Sequence, residues 1–129
     1  MYVFEFTERR LPQTINQSGR QHWAAKVAAS REWNNIVMYH VLKKGGPPNG
    51  PLPRAKLTLI RYSSREPDFD GLVSSFKVVI DALRYNGVIL DDKMSNVGVP
   101  SYSWVSVKPR EGSIYVRVEG VLDDALSTT

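Results

Sequence analysis

Four carboxylates in two short pairs are the residues of this chain best suited to chemistry. Asp68 and Asp70 stand one residue apart in PDFDG, and Asp91 and Asp92 end the run GVILDD. Carboxylates that meet repel one another, and the usual remedy is a hard divalent cation such as Mg²⁺, which takes oxygen ligands and keeps water for chemistry. The chain has no cysteine, which excludes disulfides and any thiolate metal site. His22 and His40 lack a metal-type partner at helical spacing and read as ordinary histidines. Three of the four also have a plain structural use, Asp70 as a helix N-cap and Asp91-Asp92 in a turn.

Two elements have to bring the pairs together. From Gly71 the apolar residues Leu72, Phe76, Val79, Ile80 and Leu83 recur at three- or four-residue spacing, which predicts a helix to Tyr85 packed on a core. Asn86-Gly87 should stop it. Such a helix is roughly 21 Å long at 1.5 Å per residue. An extended return through Val88, Ile89 and Leu90 recovers roughly 17 Å, so Asp92 can end near Asp70. Lys77, with Ser74 and Asp81, falls on the face opposite the apolar stripe; an exposed i, i+4 pair with Asp81 is its plain reading.

Charge is divided unevenly along the chain. From Arg9 to Arg65 there are eleven Lys or Arg and one acid, Glu32, a balance of +10; elsewhere six basic residues face twelve acids, a balance of −6. Cations for phosphates beside carboxylates for a metal suit a nucleic-acid enzyme. Arg9, Arg10, Asn16 and Arg20 in the N-terminal loop, together with Lys43 and Lys44, are candidate contacts to a DNA backbone. For the lysines a helix C-terminus is a sufficient alternative.

The stretch PDFDG, SSFKVVIDAL and GVILDD resembles the signature of the RusA family of Holliday junction resolvases, common in phages and prophages. That signature runs roughly D-x-D-N, a helix with a lysine ending in D-A-L, then G-x-x-x-D-D. The likeness is best from Leu57 to Val97 and weaker in the N-terminal loop, where Pro12, Thr14 and Asn16 match and Gln13 departs. Gly71 stands where the family has Asn. The resemblance implies Mg²⁺-dependent phosphodiester hydrolysis at a four-way DNA junction by a symmetric homodimer. It makes Asp68, Asp70 and Asp92 metal-binding catalytic residues, with Asp91 as neighbouring ligand and Lys77 as a catalytic cation. No organic cofactor is expected. One rival is a protein that binds branched or single-stranded DNA without cutting it; another is a hydrolase of a small phosphorylated substrate.

The remaining chain supports a single α+β domain over residues 1–129. It should hold a mixed or antiparallel sheet of about five strands and two main helices. Strands are expected at Tyr2–Thr7, Arg54–Tyr62, Met94–Val99, Tyr102–Lys108 and Ile114–Glu119, the last two as a hairpin about Pro109–Ser113. The longest helix should span Gln21–Leu42 with Trp23, Val27, Ile36, Val37 and Val41 inward, followed by a mobile loop over Lys43–Pro53. Residues 120–129 read as a loose tail. Tyr102, Trp104 and Tyr115 are possible dimer contacts. There is no apolar run of membrane-spanning length and no signal-peptide order, so a cytoplasmic protein of a bacterial or phage-infected cell, making no membrane contact, is expected.

Overall fold

Alternation along Ala55–Ser63 sets the architecture. In this strand Ala55, Leu57, Leu59, Arg61 and Ser63 are buried on one face while Lys56 on the other is exposed, as a half-covered strand requires. The computed structural model describes residues 2–13 and 23–121. Its strands are β1 (Val3–Glu8), β2 (Ala55–Ser63), β3 (Ser101–Ser106) and β4 (Ser113–Gly120). Its helices are α1 (Trp23–Lys44), α2 (Phe69–Ser75), α3 (Lys77–Tyr85) and the single turn α4 (Met94–Val97). The domain is α+β, with strands in the order β1-β4-β2-β3. β4 runs antiparallel to both β1 and β2, and β3 runs parallel to β2.

Two strand expectations are corrected. Met94–Val97 is helical, closed by Val97 N–H to Lys93 O at 3.0 Å and Gly98 N–H to Met94 O at 2.8 Å, so among the described residues the sheet has four strands rather than five. Nor do β3 and β4 form a hairpin, because β2 lies between them. Burial explains the order. β4 hides Ile114, Val116 and Val118 completely, and a strand so apolar on one face gains most from a central place. β3, SYSWVS, is largely exposed and occupies an edge, where polar side chains suit an unpaired rim.

The helices cover one face of this sheet. On α1, Trp33, Ile36, Val37 and Val41 are buried, but Trp23 is 79% exposed and Val27 only half-buried. Trp23 lies on the expected side of the helix; the first turns of α1 extend past the layer they would need to pack on. The loop after α1 turns at Gly45 and Gly46, and Leu52 bridges to Ile89.

The second predicted helix is two. All five residues of its apolar stripe are buried, yet Phe76 divides α2 from α3. The serines before it cause the break. Ser74 and Ser75 hydroxyls donate back to the carbonyls of Gly71 and Leu72, and Phe76 N–H reaches Val73 O in a tightened turn. Such bonds compete with the helical ladder and bend it. At the far end Val88 N–H donates to Leu83 O at 2.9 Å and Gly87 N–H to Arg84 O at 3.1 Å, a Schellman closure with Gly87 at φ +75°. Asn86 Nδ2 ties this end to Asn34 O of α1 at 3.0 Å. Since a side chain at Gly87 must adopt the left-handed conformation, Gly87→Ala should lower unfolding stability by roughly 1 to 2 kcal/mol, measured by urea denaturation.

Candidate functional site: an acidic return beside a basic cleft

The Schellman turn sends Val88–Leu90 back along α3 to the second acidic pair. Asp92 there meets Lys77, the first residue of α3: Lys77 Nζ donates to Asp92 Oδ2 at 2.8 Å and to Asp81 Oδ1 at 3.1 Å. Asp91 lies 3.7 Å from Arg84 Nε, and its Oδ1 accepts the N–H of Asp92 at 2.8 Å. Both members of the pair are thus matched by cations of α3. The hydrogen bond from Lys77 holds Asp92 below the usual carboxylate range, and the bond to Asp92 raises Lys77.

The first pair sits at the start of α2. Asp68, not Asp70, is the N-cap, its Oδ1 accepting Gly71 N–H at 2.6 Å. Asp70 is exposed in the first turn. The break at Phe76 alters the geometry expected of one continuous helix: the return run meets the start of α3 instead of the start of α2. Among the described residues, no three His, Asp or Glu side chains gather as a group that could hold a metal ion. The donor set itself, all carboxylate oxygen, has the chemistry a hard cation takes. For Asp92 to serve one, it would have to exchange Lys77 for the cation.

A basic cleft of about 510 Å³ opens at the end of the sheet where β1 and β2 finish. Its wall carries Asp68 and Gly71 from α2, Arg9 and Leu11 after β1, Arg61, Ser63 and Arg65 from β2 and beyond, and Lys108 and Arg110 from the β3–β4 connection. Five cations therefore face two acids, Glu66 and Asp68. A side chain on Gly112 would meet Leu11 Cδ1 at 2.8 Å, so glycine there lets the segment after β1 lie close against the β3–β4 connection. Arg110 is the one described non-glycine residue at positive φ, +71°, a conformation that costs a residue with a Cβ and tends to collect at functional sites.

Arg61 is the unusual member. One row crosses the core face of the sheet through Glu8, Ile114, Arg61 and Trp104. Two rows earlier that face is Phe4, Val118 and Leu57. Glu8 is occupied by His40, whose Nε2 lies 3.1 Å away and whose ring stacks on Phe6 at 4.4 Å. Arg61 is 8% exposed, and its Nη1 donates to Pro12 O at 2.7 Å. Among the described residues no carboxylate pairs with it, and desolvation lowers its pKa. The alternation of β2 held a signal for this residue: continuing Ala55, Leu57, Leu59 by two places sends Arg61 inward.

Of the expected DNA contacts among the described residues, Arg9 lies in the cleft wall and the others do not. Arg10 borders a depression beside Glu8 and Glu32. Lys43 sits over the ring of Tyr39 and Lys44 over that of Tyr2, at the other end of β1. Asn16 and Arg20 lie outside the described residues. Arg61, Arg65, Lys108 and Arg110 are the cations that sequence reasoning passed over. The three aromatics considered for a dimer contact all have internal partners: Tyr102 packs near Phe76, Trp104 Nε1 donates to Ser63 Oγ, and Tyr115 Oη donates to Glu5.

Comparison with protein-family models finds no match, and comparison with curated proteins finds no significant one. The Lys77–Asp92 contact carries its own test. A depressed carboxylate contributes stability above its unfolded pKa and loses it as pH falls through the folded one, below about 4; the raised lysine contributes below about 10 and loses it above. Carboxyl NMR should show Asp92 titrating below an ordinary aspartate, and Lys77→Met should move that midpoint upward.

Proposed function

We propose that this chain is a Mg²⁺-dependent endodeoxyribonuclease that resolves branched DNA, with four-way junctions as substrate, in phage or prophage recombination or repair. One observation carries the reading: a cleft with five cations has Asp68, a member of the D-x-D pair, in its wall. Duplex and junction DNA present closely spaced phosphates, and grouped Arg and Lys hold them by displacing counterions. Arg9, Arg65, Lys108 and Arg110 would bind the backbone at the cleft mouth and orient it along Asp68. Asp68 and Asp70 at the start of α2 and Asp92, with Asp91, beside the start of α3 would hold the cation by closing together on it. When bound, it polarises the scissile phosphate and lowers the pKa of water. Lys77, freed from Asp92, would offer its ammonium to a phosphate oxygen. Paired cuts at a junction require two sites, which a symmetric homodimer supplies.

A second reading has support of its own. Asp91 and Asp92 are engaged by Arg84 and Lys77, and Asp68 caps α2, an arrangement that also suits a protein binding branched or single-stranded DNA without cleaving it. A labelled four-way junction and a matched linear duplex, each incubated with Mg²⁺ or with EDTA, separate the two. The nuclease reading expects symmetric nicks in the junction alone and only with Mg²⁺. It also expects Asp70→Asn to abolish cutting while junction binding persists. Junction binding that never yields product would decide for the second reading, and cleavage retained by Asp70→Asn would remove the carboxylate assignment.

A further inference from the structure

We infer that the inner end of the basic cleft is a discrete site for a phosphomonoester dianion, such as a phosphorylated strand end, anchored by Arg61. Within a fold, a guanidinium this buried is ordinarily paired with a carboxylate, since an isolated buried charge loses its hydration. Among the described residues its hydrogen-bond partner is the neutral carbonyl of Pro12, and Arg61 lines the cleft. Arginine presents donors in a planar fork that matches two phosphate oxygens. The outer end of the same cleft adds Arg9, Arg65, Lys108 and Arg110, all exposed.

The balance of charge selects the ligand. Five cations against two acids leave the wall at +3, and Asp68 is already committed to Gly71. A bridging phosphodiester brings one negative charge, whereas a phosphomonoester brings close to two near neutral pH. Depth acts in the same direction. Arg61 is reached only by an anion that leaves the surface, and a strand end can enter where a continuous backbone must pass over. A volume of about 510 Å³ is in the range of small-molecule sites, and Leu11 and Pro67 give it an apolar wall for the attached sugar or base.

The strand-end source rests on the nucleic-acid reading above; the anion site does not. Both are tested by fluorescence anisotropy in EDTA, where no cleavage intervenes. The probe is a labelled single-stranded oligonucleotide carrying a 5′-phosphate, a 3′-phosphate or hydroxyls at both ends. A phosphorylated end should bind at least about tenfold tighter than the hydroxyl form, a difference of about 1.4 kcal/mol. Arg61→Met should erase that preference. So should a double variant, Lys108→Ser with Arg110→Gly, which leaves the core alone and relieves the positive φ; it carries the test if Arg61→Met does not fold. Competition by inorganic phosphate as effective as that by the phosphorylated oligonucleotide would support the site with free phosphate as its ligand. Competition that requires the oligonucleotide supports the strand end. Equal affinity for phosphorylated and hydroxyl ends, or a preference that survives in the double variant, overturns the proposal whether or not the protein cuts junctions.

Discussion

The fold depends on one face of the sheet that is apolar over most of its extent and carries polar groups at its end. Where it is apolar, Phe4, Val118 and Leu57 stand side by side and exclude water, each large side chain contributing about 1.5 to 3 kcal/mol by burial. At its end the same face holds Glu8, the fully buried Ile114, Arg61 and Trp104, and each of the three that carry a polar group needs a partner. His40, Pro12 and Ser63 provide them. The cleft opens beside this polar end, lined by the segment after β1 and by the β3–β4 connection.

Much of this is legible in the sequence where periodicity is strong. The stripe from Leu72 to Leu83, the Asn86-Gly87 stop and the alternation of β2 all rest on local chemistry, and the structure follows them. Order in the sheet is not local. The strands on either side of PREGS look like a hairpin because a short turn is the nearest solution, yet burial of Ile114, Val116 and Val118 places β4 between β1 and β2. Trp23 is a related case: periodicity identifies its side of α1 but carries no information on how far the packed layer reaches.

The site was legible in part for the same reason. The acidic pairs can be found by type and spacing, and their approach along a helix by length alone. The bend at Ser74, Ser75 and Phe76 redirects that approach, and its signal, two adjacent serines in an apolar stripe, is weak until their back-bonds are seen. Lys77 thereby begins a helix instead of sitting within one, in reach of both Asp81 and Asp92. The cleft cations come from three separate stretches, and only the tertiary fold assembles Arg9, Arg61, Lys108 and Arg110.

The central place of β4 bears on how the chain folds as it is made. β1 and β2 do not pair with each other; each pairs with β4, and the pairing of Val3 with Glu119 spans nearly all the described chain. Contacts so distant in sequence close large loops, and folding slows as their share rises. On a ribosome, β1 therefore waits without a partner until residues 113–120 have left the exit tunnel. Until then Phe6 can pack on the His40 ring of α1 but no strand flanks it, so β4 is the step that completes the sheet.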